Sequence, residues 1–116
     1  MSQQEQDFAE RINTNLCISK NQEVFIDPVT ISIILGIISL IINALRLYCQ
    51  IKHNREDAEK IQGESQNPGP IARRLVARHV RKQLGREEYQ QCGQYYIDAI
   101  FRTCAESSTE EIMELL

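Results

Sequence analysis

Hydrophobic positions recur along this chain at helical spacing, but their density changes sharply from one stretch to the next. Phe8, Ile12 and Leu16 stand four apart in a glutamine- and glutamate-rich opening, the pattern of a short, weakly amphipathic helix. Residues 29–45, "VTISIILGIISLIINAL", then hold eleven Ile, Leu or Val side chains and no charge. "FIDPVT" signals the start of that helix: Asp27 can accept from the first free N–H groups, and Pro28 suits the first helical position, where its missing donor costs nothing. With Gly36 its one weak residue, a single helix is expected from Pro28 to about Gln62, roughly 50 Å long at 1.5 Å per residue.

"GESQNPGP", residues 63–70, reads as a linker, with Pro70 set to open the next helix. Residues 71–84 form a basic helix closed by Gly85. Tyr89, Cys92, Gly93, Tyr96, Ile97, Ile100, Phe101 and Cys104 then mark one face of a further helix. In "SSTEE", Ser108 and Glu111 predict a capping box that starts a last short helix carrying Ile112, Met113, Leu115 and Leu116. No alternating strand pattern occurs. The expected fold is all-α, one long hydrophobic helix plus a small C-terminal helical cluster. Its regions are an acidic polar segment 1–27, the long helix 28–62, a linker 63–70 and the cluster 71–116.

The polar exceptions within the apolar helix are ordered. Ser32, Gly36, Ser39, Asn43, Arg46, Gln50, His53 and Asp57 follow steps of 4, 3, 4, 3, 4, 3, 4, which is the 3.5-residue period of a left-handed helix–helix seam. In lipid, such small residues let a partner helix approach closely. In water, the stripe is the exposed edge of a helix whose wide apolar face other chains bury. Either way, eleven large aliphatics are more than this chain is expected to cover alone, so a homo-oligomer or a larger assembly is expected.

The lipid alternative is a real competitor. The charge-free stretch spans about 27 Å as a helix, close to the roughly 30 Å hydrocarbon core. Its aliphatics offer roughly −3 to −7 kcal/mol towards insertion. A single-pass protein would place its acidic N-terminus outside and the C-terminal part, behind Arg46, Lys52, Arg55 and Lys60, in the cytoplasm. The seam, however, keeps one register through its charged end, where a membrane helix would change character. Burial by protein is therefore the expectation, with single-pass insertion as the alternative.

Charge changes the picture locally. The net charge is −3, so no global field favours nucleic acid. Yet "IARRLVARHVRKQLGR" carries Arg73, Arg74, Arg78, Arg81, Lys82 and Arg86 without an acid. Three readings follow: a solvated face paired with neighbouring acids such as Glu87, Glu88, Glu110 and Glu111, contact with anionic lipid or protein, or non-specific contact with nucleic-acid phosphates. With no aromatic among the arginines, base readout is not expected.

Reaction chemistry finds no foothold. Cys17, Cys49, Cys92 and Cys104 are too widely spaced for CxxC, and neither His53 nor His79 stands at metal-ligand spacing from one of them. There is no Gly-rich phosphate loop and no nucleophile motif. A non-enzymatic protein without cofactor or metal is expected, its thiols reduced. The opening residues also lack the basic and apolar regions of a secretory signal.

The layout of a short acidic N-terminus, "IDPVTISIILGIISLI" and then "ARRLVARHVRKQLGR…YIDAIFRTCAESSTEEIMELL" resembles small virion-associated structural proteins of tailed phages, cyanophage-like ones especially. The resemblance covers most of the chain and rests on overall texture. It implies a structural subunit located in a virion and carries over no site residues.

Overall fold

Six α-helices and no strands make up the described part of the chain. A computed structural model describes residues 2–48 and 55–116, with side chains up to residue 45 in the first stretch. The opening residues form a full helix, α1 (Gln3–Ser19), whose N-terminus is capped by the Ser2 hydroxyl accepting from the Glu5 N–H at 3.2 Å. Phe8, Ile12 and Leu16 are all buried, as their spacing requires. Asn21 adopts a positive φ of 55° just past the helix end, where asparagine tolerates the left-handed conformation.

The apolar segment is α2 (Pro28–Tyr48), started as its sequence predicts. Asp27 accepts from the Val29 N–H at 3.1 Å and from the Thr30 hydroxyl at 2.8 Å. Next comes α3 (Arg55–Gln66), which runs through Gly63 and stops before Asn67. Pro68 is the physical reason, since a proline disfavours the helical conformation of the residue before it. The expected linker 63–70 is therefore reduced to residues 67–69.

The single helix expected over 28–62 is corrected. Ile41, Ile42 and Leu45 of α2 line the same small cavity as Ile61 of α3. In one straight helix Ile41 and Ile61 would be about 30 Å apart. The two helices are thus packed against common neighbours and are not collinear.

The basic helix α4 (Pro70–Leu84) ends on Gly85, at φ 83°, a conformation that favours glycine. The turn leads straight into α5 (Arg86–Glu106). The capping box then opens α6 (Thr109–Leu115), with Ser108 and Glu111 bonded reciprocally at 3.2 and 3.0 Å.

Packing joins these elements around α5, which lies against α1, α3 and α4, while α2 is held between α1 and α4. The main core contains Ile12 and Leu16 from α1, Ile31, Ile34, Ile37 and Ile38 from α2, Val76 and Val80 from α4, and Tyr96, Ile97, Ile100 and Phe101 from α5. Ala58 of α3 with Ile112 and Leu116 forms a smaller cluster beside it. A polar strut crosses this interior. The Asn15 amide donates to the Thr103 hydroxyl at 2.7 Å, and that hydroxyl donates to the Ala99 carbonyl at 2.8 Å.

This arrangement covers part of the apolar helix from within the chain. Of the eleven aliphatics in residues 29–45, four are buried, six are half-buried, and Val29 alone is exposed. The helices on either side of α2, which the sequence shows only as separate amphipathic stretches, supply the cover.

Candidate functional site

The predicted seam lies on the outside of the bundle. Ser32, Ser39 and Asn43 are exposed, and Gly36 is half-buried because Gln83 of α4 reaches across it. A Cβ on Gly36 would stand 2.9 Å from the Gln83 Oε1, so glycine here makes room for an amide from α4. Arg46 belongs to the end of α2 whose side chains are not described, and Gln50 and His53 lie outside the described residues. The seam therefore forms part of an open groove of about 690 Å³, together with Ile26, Pro28, Ile31 and Leu35.

Beside that groove stands a feature with no helical periodicity to announce it. Val24, Phe25, Ile26 and Val29 are exposed by 49, 66, 55 and 67 %, in the segment joining α1 to α2. Three consecutive large apolar residues in a polar setting were the available signal. This ridge is built and held. Asn13, buried within α1, donates to the Phe25 carbonyl at 2.8 Å, and the Cys17 thiol approaches the same oxygen at 3.9 Å. The Phe25 backbone is tied inward while its ring stays in solvent. Asp27, capping α2, fixes the other end. On the far side Val29 and Tyr95 line a second, more polar hollow with Lys20, Gln22 and Glu88.

The basic residues form one outward face. Arg73, Arg74, Arg78, Arg81, Lys82 and Arg86 are all exposed. The acids expected to pair with this face divide: Glu110 and Glu111 pair with Arg55 and Arg11, while the exposed Glu87 and Glu88, which follow Arg86, enter no ion pair among the described residues. Among the described residues, only Asp98 forms an ion pair with the basic helix, at 4.0 Å from Arg73. Arg81 lies over the Tyr89 ring at 5.3 Å. His79, on the same helix, is turned inward, and among the described residues neither ring nitrogen has a hydrogen-bond partner. Burial lowers its pKa from the ordinary 6.5, and Arg78 and Lys82 add to the effect.

Cys17, Cys92 and Cys104 are free thiols, and Cys49 lies outside the described residues. Burial pushes Cys104 up to about 11 and also raises Cys92, so both are protonated and poorly nucleophilic at neutral pH. Tyr96 is likewise pushed up to about 12 by burial. Among the described residues no three His, Cys, Asp or Glu side chains come together as a metal site.

Residues 28–45 are long and apolar enough to cross a membrane, and among the described residues they are the one such stretch. In this fold their buried members, Ile31, Ile34, Ile37, Ile38 and Ala44, face the protein interior. No known protein family matches the chain, and neither a curated protein nor a solved structure is similar to it.

Proposed function

We propose that this chain is a non-enzymatic structural subunit that self-associates within a larger assembly, a tailed-phage virion being the particle its sequence texture favours. The observation that carries this reading is the fixed apolar ridge of Val24, Phe25, Ile26 and Val29. Large apolar side chains held together in water mark a surface that a partner covers. Because Asn13 and Asp27 already hold the backbone, docking here costs little ordering entropy. The adjoining groove, floored by the small residues Ser32, Gly36 and Ser39, accepts the ridge of a second copy, and the same contact repeats across a two-fold axis. Packing of the α2 apolar face inside its own chain supports assembly through this edge in preference to membrane insertion of the helix.

Sedimentation velocity on the purified chain tests the proposal. The wild type is expected to form dimers or higher species by about 100 µM, a concentration at which weak contacts worth roughly 5 kcal/mol become populated. Phe25→Ser with Ile26→Ser removes two exposed side chains and should leave a folded monomer. A wild type that remains monomeric throughout, or a double variant that associates equally well, refutes it.

A further inference from the structure

The six basic residues between positions 73 and 86 leave the rest of the chain with seven basic and sixteen acidic side chains, a net −9. Positive charge is thus gathered on α4 and the first residue of α5, on a molecule that is otherwise acidic. Arg74, Arg78 and Lys82 stand four residues apart, so their side chains leave one line of the helix at intervals of about 6 Å. Arg81 flanks that line, and Arg86 opens α5 just past Gly85. Among the described residues, Arg74, Arg78, Lys82 and Arg86 make no ion pair, whereas five acids of α3, α5 and α6 are bonded to cations elsewhere. A row of like charges this close is mutually repulsive, and its own fold does not neutralise it.

We propose that this face of α4 binds the phosphate backbone of double-stranded DNA without reading its sequence. A membrane surface fits less well. A helix that lies on lipid must insert its apolar face, and here Val76 and Val80 are committed to the core, which leaves Ile71 as the one large apolar side chain outside. Single strands fit less well too, because no exposed aromatic stands in the row for bases to stack on. A helix with its cations in one row fits along the wide major groove of B-form DNA, whereas A-form RNA has a deep, narrow major groove that admits no helix. Arginine predominates, and its planar fork matches phosphate oxygens. The row offers only cations, evenly spaced along one line to meet the regular phosphates, so the contact is electrostatic and indifferent to sequence.

Fluorescence anisotropy with two unrelated 30-base-pair duplexes, each about 10 nm long at 3.4 Å per pair, tests this on the full-length protein. Four phosphate contacts predict a salt slope near −3.6, so affinity should fall about 150-fold between 50 and 200 mM salt. The two duplexes should bind within about twofold of one another. Arg74→Glu with Arg78→Glu, both at exposed positions, should weaken binding at least tenfold and flatten the slope by about two units. Lys60→Glu with Arg102→Glu makes the same change in net charge away from the face and should bind nearly as the parent does. Circular dichroism checks that each variant keeps the parent's helicity. Equal losses from the two double variants, absence of binding at 50 mM salt, or strong preference for one duplex would each overturn the proposal. So would R74E/R78E-sensitive flotation with phosphatidylglycerol-containing vesicles in a protein that ignores DNA, which would assign the face to lipid.

Discussion

Ile34→Ala is the sharpest probe of whether α2 is a core helix of its own chain. Ile34 is fully buried, and it packs in the same cluster as Phe8, Ile12, Val80 and Ile97. Truncation removes three carbons from a site enclosed by several helices, so the surroundings can collapse only in part. The expected cost is about 3 kcal/mol, within the range of about 2–5 for such changes. In a chain of 116 residues that corresponds to a fall in Tm of about 10–15 °C. Urea unfolding followed by circular dichroism measures it, with the midpoint falling and the slope unchanged. Val29→Ala, at 67 % exposure on the same helix, provides the internal comparison and should shift stability by less than about 0.5 kcal/mol. If the two variants lose similar stability in the isolated, monomeric protein, α2 is not organised by its own chain. The packing derived above then fails.

Three further outcomes follow from particular contacts. Thr103→Val leaves the Asn15 amide buried without its acceptor and should cost about 1–3 kcal/mol, while Asn15→Leu with Thr103→Val should cost less than the sum of the single changes in a double-mutant cycle. Gly93→Ala places a Cβ 2.6 Å from the Tyr89 ring and should destabilise by about 1–3 kcal/mol, whereas Gly36→Ala meets only the mobile end of Gln83 and should be nearly neutral by thermal melting. His79 has a folded pKa below its ordinary 6.5, so the unfolded chain takes up the proton first. Stability should therefore decline as the pH falls from 6.5 towards that lower value, and His79→Leu should flatten this part of a urea-midpoint profile.

What could be read directly was local. Helix starts at Asp27–Pro28 and Ser108–Glu111, the stop at Gly85 and the buried stripe from Tyr89 to Cys104 all follow from hydrogen-bonding groups and periodicity within a few residues of one another. All-helical character followed from the same signals. The burial of α2 did not, because the residues that cover it come from α1, α4 and α5, up to about seventy positions away in the chain, and one-dimensional spacing says nothing of which stripes meet. The seam illustrates the limit. Its described members Ser32, Ser39 and Asn43 are exposed on α2, and in this fold Ser32, Gly36 and Ser39 line an open groove that Gln83 reaches across. Phe25 shows the opposite case, an apolar residue that periodicity would leave unassigned and that a buried asparagine on α1 holds in solvent. The basic helix was legible as charge. Only the folded arrangement decided that Glu110 and Glu111 satisfy Arg55 and Arg11, because an ion pair depends on distances of a few ångströms between side chains that tertiary packing alone brings together.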